Sequence, residues 1–194
     1  MKRISVLLLS LATLAVAACS TTTMRSEQQR IAIASGAYLV MPGAADLVDS
    51  FDAVQAINAE YEDRSYSFEA HIAARPGELS IVALGALGGP LFSIHYDGNE
   101  LVAEGSQQAQ RINAEYVLAD VLLTHWDIRW LNRRLEGASI ELASDGRERF
   151  VTRGGVLVVG ITFDSADPWG GDARLTHVER GYVLDISTAR FTPR

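Results

Sequence analysis

The chain has 194 residues, 17 basic against 24 acidic side chains for a formal net charge of −7, and 48% apolar residues. That is enough for one domain with a real core, and the negative balance excludes a net field that draws in nucleic acid or anionic headgroups. A single cysteine excludes an internal disulfide.

In chain order, Lys2 and Arg3 precede an uncharged apolar run from Ile4 to Ala18 that ends in small residues before Cys19. A basic region, an apolar region and a small-residue cleavage site make residues 1–18 an expected export signal; the run is short for a membrane span. Val16-Ala17-Ala18-Cys19 resembles the lipobox of bacterial lipoproteins. The resemblance implies diacylglycerol on the Cys19 sulfur, cleavage before it and acylation of the new amino group. Several acyl chains at about 0.8 kcal/mol per buried methylene would hold the protein on a membrane. Ser20, not Asp, follows Cys19, and by resemblance to the sorting rule of enteric bacteria this implies the outer membrane, facing the periplasm.

Ser20 to about Ala34 is polar, with Thr-Thr-Thr and Gln-Gln, and reads as a lipidated flexible tether over 19–34. The folded domain is then expected over 35–194. From Phe51 the apolar period becomes two: Phe51 to Tyr61, Arg64 to Ala74, Glu78 to Ala86, Leu91 to Tyr96 and Glu100 to Glu104 read as strands. Turns are expected at Glu62-Asp63, Arg75-Pro76-Gly77 and Asp97-Gly98-Asn99. In the second of these strands Tyr66, Phe68, Ala70 and Ile72 share an apolar face opposite Ser65, Ser67, Glu69 and His71.

Asn113 to Gly137 is the stretch whose apolar residues recur at helical spacing: Val117, Leu118, Val121 and Leu122, then Ile128, Leu131 and Leu135. Two short helices fit it, bent at Thr124 to Trp126, with Asp127 as N-cap of the second and Arg133 and Arg134 in its last turn before Gly137. Beyond it the strands resume at Ser139 to Ala143, Arg147 to Arg153, Val156 to Phe163, Arg174 to Glu179 and Tyr182 to Phe191, with a longer loop at Asp164 to Asp172. About ten or eleven strands around two short central helices predict a mainly β fold (α+β), an incomplete antiparallel barrel that wraps the helical plug. A partly filled barrel would have a ligand cavity lined by Tyr66, Phe68, Ile72, Leu118, Leu122, Trp126, Trp130 and Leu131; in a filled one the same residues are core.

Chemistry is sparse. His71, His95, His125 and His177 are scattered, none at metal-ligand spacing from another histidine or from Cys19, and no metal or cofactor is expected. His125 with Asp120 and Asp127 is the nearest approach to an acid/base cluster, although Asp127 is more simply a cap. No Gly-x-Ser-x-Gly elbow is present, and Gly85-Ala86-Leu87-Gly88-Gly89 lies between strands, so it reads as a flexible loop and not a phosphate cradle. Trp169, after Pro168, reads as a lid over the end of the sheet or as a surface anchor.

The stretches LSIVALGALGGPLFSIHYDGNELVAE (Leu79 to Glu104), LADVLLTHWDIRWLNRRLEG, GRERF and DPWGG resemble a family of bacterial lipoproteins encoded beside aryl-polyene biosynthesis genes. More distantly, the order of elements is similar to LolB, the outer-membrane receptor of the lipoprotein localisation system. That resemblance implies a LolA/LolB-like half-barrel with an apolar cavity for acyl chains and a protruding leucine on an interstrand loop. Leu87, followed by Gly88 and Gly89, stands at the matching place as the candidate transfer loop. The expected function is that of a non-enzymatic lipoprotein that binds or transfers a lipid, a lipoprotein acyl chain or an aryl polyene. Its partners would be membrane lipid through acylated Cys19, that hydrophobic molecule and a periplasmic or outer-membrane protein. Rival readings are a structural accessory lipoprotein that binds proteins and a periplasmic acyl hydrolase.

Overall fold

The computed structural model describes residues 29–105 and 113–194. The expected signal over 1–18, Cys19 and the tether up to residue 28 lie outside the described residues. The chain opens with strands β1 (Arg30–Ala34) and β2 (Ala37–Val40), then runs through β3 (Phe51–Tyr61), β4 (Arg64–Arg75), β5 (Glu78–Leu84), β6 (Pro90–Tyr96) and β7 (Leu101–Gly105). Helices α1 (Ala114–His125) and α2 (Ile128–Asn132) follow. The remaining strands are β8 (Leu135–Glu136), β9 (Ser139–Leu142), β10 (Glu148–Arg153), β11 (Val156–Phe163), β12 (Asp172–His177) and β13 (Tyr182–Pro193).

Ten strands form one antiparallel sheet in the order β7-β6-β5-β4-β3-β13-β12-β11-β10-β9, and β7 and β9 do not pair, so the barrel stays open. The first strand of the meander, β3, thus zips to the last strand of the chain, with Tyr61 opposite Tyr182 and Phe51 opposite Pro193. Period-two patterning decides the faces: Ala53, Ile57, Ala70, Ile72, Ile81, Phe92 and Ile94 are buried on the inner side, while Ala56, Asn58 and Glu69 are exposed on the other.

The helices fill the concavity. Asn113 Oδ1 accepts from Glu115 N at 2.9 Å and starts α1; Asp127 Oδ1 accepts from Trp130 N at 2.9 Å and starts α2. Leu118, Leu122 and Leu131 are 0% exposed and Leu123 is 1% exposed. Two departures from expectation have a physical cause. The last turn read into α2 is not helical, because Leu135 and Glu136 leave it to pair with Leu39 and Tyr38 of β2. The approach is so close that a Cβ on Gly137, at φ +73°, would sit 2.1 Å from the Gly36 carbonyl oxygen.

The second departure is larger. The tether expected to reach Ala34 ends sooner, because Arg30–Ala34 is a strand paired with β2, and Ile31 and Ile33 are 0% and 1% exposed. With β8, these strands form a separate three-stranded sheet in the order β1-β2-β8. The hairpin is a strap over the plug, fastened at both ends. At one end Ser35 N and Oγ donate to Glu179 Oε1 at 2.8 and 2.9 Å, Arg180 Nη2 donates to the Ala32 carbonyl, and Arg153 Nη1 donates to the Ser35 carbonyl. At the other, Tyr96 Oη donates to the Pro42 carbonyl at 2.7 Å and Gly77 N to the Leu47 carbonyl at 2.7 Å. Gly98 packs directly against Ala44 there, with no room for a side chain.

Strap and plug therefore share one core. Ile33→Ala and Leu122→Ala are each expected to lower stability by about 2–5 kcal/mol, read as a drop in the urea midpoint; an unchanged midpoint for Ile33→Ala would return Arg30–Ala34 to the tether.

Candidate functional site

Strict antiparallel pairing sorts the loops into two ends. The β3–β4, β5–β6, β10–β11 and β12–β13 turns fall at one end of the large sheet, and the N-terminus of α1 lies there as well, since Arg180 of the β12–β13 turn stacks on Tyr116 at 3.3 Å. This end is the mouth of the half-barrel. Tyr61, Tyr66, Leu87, Val156, Leu157 and Val178 all project from it with large exposed surfaces. Just inside, Phe68, Leu184, Tyr116 and Val117 are half-buried against the core, and Phe68 meets Phe92 edge-on at 5.8 Å.

Leu87 is the extreme case, 101% exposed at the tip of the β5–β6 hairpin. The hairpin closes through Gly88 N to the Gly85 carbonyl and Gly85 N to the Gly89 carbonyl, both 2.8 Å. Gly88 has φ +76°, which a leucine or valine could not adopt without strain, so the turn rests on glycine while Leu87, between Ala86 and Gly88, projects from its tip.

The sequence candidates for a cavity divide between the two settings. Tyr66 and Phe68 lie on the mouth side, Tyr66 44% exposed. Ile72, Leu118, Leu122 and Leu131 are at most 1% exposed and are packed core. Trp126 and Trp130 stand at the opposite end, in an aromatic cluster with Phe51, Trp169 and Phe191. Trp169 closes that end as a lid: it stacks on His125 at 3.8 Å and on Phe191 at 4.9 Å.

Asp120, His125 and Asp127 do not converge. His125 faces Trp169, the Pro168 carbonyl 3.0 Å from Nδ1 and Gln55 Nε2 3.1 Å from Nε2. That pattern suits a neutral ring with the proton on Nδ1, and burial pushes the pKa down to about 3. Asp127 is spent as the cap of α2. Asp120 turns toward the mouth end, where Tyr182 Oη donates to its Oδ2 at 2.7 Å. Its Oδ1 has no partner among the described residues, and burial pushes its pKa up to about 7 against the opposing pull of Tyr182 and Arg180. His177, 1% exposed and 5.0 Å from the Tyr182 ring, is held down to about 4 by burial and by the Arg180 charge.

Sequence reasoning missed this Asp120–Tyr182–Arg180 linkage, and it missed Arg149. Arg149 is 5% exposed; its Nη1 donates to the Leu123 and Trp126 carbonyls at 2.9 and 2.8 Å, and its guanidinium lies 5.3 Å from the Phe163 ring centroid. The only available signal was an arginine inside the alternating run of β10. Among the described residues no group of three His, Cys, Asp or Glu could hold a metal ion, and no helix is long and apolar enough to cross a membrane.

The fold and its mouth define an open antiparallel half-barrel with a helical plug and an apolar rim. A family model described as a protein of unknown function, DUF3261, matches residues 52–190, from β3 into β13, and the chain belongs to that family. The strap precedes the matched region. Among curated proteins none matches the chain. Among solved structures it is similar to a crystal structure of a DUF1329 family protein from Desulfovibrio piger, with 12% identity, a TM-score of 0.35, and coverage of 77% of this chain and 87% of that one.

The buried ionisable groups set opposite pH dependences. Asp120 binds its proton more tightly when folded, so its contribution is complete below the ordinary carboxylate pKa of about 3.9 and is lost as pH rises through about 7. His177 contributes fully above about 6.5, and the contribution is lost as pH falls through about 4. Asp120→Asn should remove the first loss: its urea midpoint, measured relative to the parent chain, is expected to rise between about pH 4 and about pH 8. A constant difference would mean that Asp120 does not titrate there.

Proposed function

We propose that this protein is a lipid-anchored, periplasm-facing binding protein of the outer membrane, which takes up or passes on an acyl-like hydrophobic molecule and does no covalent chemistry on it. The observation that carries this reading is Leu87, a fully exposed leucine on a glycine hairpin, beside the half-buried Phe68 and the exposed Tyr66 at the mouth. An isolated exposed leucine needs no explanation, but a rim that collects most of the large exposed apolar side chains at one end does. The tip presents an apolar end to a membrane or to a donor's cavity, and the half-buried side chains just inside the mouth give an acyl chain an apolar surface to meet.

The packed interior shifts the notional site outward. Ile72, Leu118, Leu122 and Leu131 hold the plug in place, and an acyl chain would meet Phe68, Tyr66 and Leu184 first; deeper entry would require the plug or strap to move. The same packing favours one rival, an accessory lipoprotein whose apolar rim binds a protein. LolB-like transfer and aryl-polyene handling belong to the first reading and rest on the sequence resemblance.

Two substitutions separate the steps. Cys19→Ala should abolish lipidation and release the protein from membranes; a variant that still fractionates with them after washing would overturn the anchor. Leu87→Glu places a charge on an exposed tip, so stability should change by less than about 0.5 kcal/mol, while delivery of a fluorescent fatty acid to liposomes should fall. Unimpaired delivery would remove Leu87 from the mechanism, and lack of uptake of any fatty acid, acylated peptide or polyene would favour the accessory reading.

A further inference from the structure

Among the described residues no second layer covers the outer face of the large sheet, yet Asp52 and Val54 of β3, His71 and Ala73 of β4, and Ser80 and Val82 of β5 are only half-exposed. They lie in a groove of about 410 Å³ that crosses β5, β4, β3 and β13, within the size range of small-molecule sites. Register explains its shape. Across the sheet Arg190, Val54, His71 and Val82 form one row, and Thr192, Asp52, Ala73 and Ser80 the next. Small side chains at Ala73 and Ser80 make the dent; Val54 and Val82 give it apolar walls.

One wall is positive. A β-bulge between Thr188 and Arg190 adds a residue to β13 and sets Arg190 opposite Val54 at the groove edge. Bulges commonly re-aim a side chain beside a functional site. The other arginines nearby are already matched, since Arg75 Nη2 and Arg194 Nε both engage Asp52, the first at 2.6 Å, and His71 Nε2 is hydrogen-bonded to Glu69 Oε1 at 2.6 Å. The Arg75 bond holds the Asp52 carboxyl below its usual range, so the carboxylate stays charged and keeps both arginines occupied. The Arg190 guanidinium has no partner among the described residues. In a chain of net charge −7, an unmatched guanidinium over an apolar dent is locally the reverse of the whole.

We infer that this groove is a second ligand site, separate from the mouth, and that it takes a small amphipathic carboxylate whose anionic end pairs with Arg190 and whose apolar body lies on Val54, Ala73 and Val82. The guanidinium fork matches a carboxylate in a bidentate pair. Thr192 and Ser80 hydroxyls line the same groove and can donate to a remaining oxygen. The row pattern allows a short chain to lie across the strands, over the two valines.

The site does not depend on the mouth, so its test is read at different residues. Methyl-labelled full chain in lipid nanodiscs is titrated with hexanoate and, in parallel, with hexan-1-ol. Expected are shifts of the Val54 and Val82 methyls with hexanoate, weakened about tenfold or more by Arg190→Gln, because a charge-assisted pair is lost. Ala73→Leu, which fills the dent at a half-exposed position, should block binding without unfolding the sheet. Equal shifts from hexan-1-ol, or hexanoate binding unchanged in Arg190→Gln, would overturn the pairing. Shifts confined to Leu87 would send the carboxylate to the mouth, overturning the groove while leaving the proposed function standing; silence at all three methyls would overturn the groove outright.

Discussion

A charged side chain inside the core holds the plug. Arg149 reaches in from β10 and closes the C-terminal carbonyls of α1, bonding to both Leu123 and Trp126. Those carbonyls would otherwise end in apolar surroundings with no water, where an unsatisfied group costs about 1–3 kcal/mol. The cation in turn sits at the negative end of the α1 dipole and against Phe163, which offsets part of its desolvation. Burial brings its pKa down only to about 10, so it is charged at neutral pH. The arrangement fixes where α1 stops, and so where Trp126 turns into the aromatic cluster and Asp127 begins α2.

The two ends of the half-barrel are built on different physics. One is sealed by stacked rings, with Trp169 laid on His125 and Phe191 and a neutral, fully bonded histidine beneath. The other is laced by polar groups under an apolar rim: Asp120 to Tyr182, Arg180 over Tyr116, and Glu179 gathering Ser35 and Arg153. Buried polar atoms with no hydrogen-bond partner among the described residues occur at both ends, Asp120 Oδ1 and Arg180 Nη1 at the laced one, Trp126 Nε1 and Arg149 Nε at the sealed one.

Much of this architecture was legible in the residues. β3 and β11 begin and end where turn residues punctuate an alternating run, at Glu62-Asp63 and Gly154-Gly155, and the Asp127 cap was written in one carboxylate before an apolar repeat. β1 was not, because Ile31 and Ile33 offer only two apolar positions after a polar run, and what buries them is a helix some eighty residues later. Likewise Arg133 to Leu135 has helical spacing, but β2 competes for its backbone. Asp120 looked like a partner for His125 because they are near in sequence; five residues apart on a helix, they point to different neighbours. Its true partner, Tyr182, is 62 positions away. Glycines announced the loop, and the resemblance to LolB singled out Leu87 on it, whereas the outer groove needs the register of four strands, which no single segment carries.

The strap has a mechanical meaning. Any pull that reaches the domain from its N-terminal side enters at Gln29, whose carbonyl accepts from Met41 N at 2.8 Å, and arrives next at the Arg30–Val40 pair. Load applied at the open end of a hairpin falls on one rung at a time, so it peels the ladder, whereas load along two offset strands would strain every rung together. A tug on Gln29 would therefore be answered first by the strap, while the long β3–β13 seam, which joins the two halves of the sheet, stays unloaded.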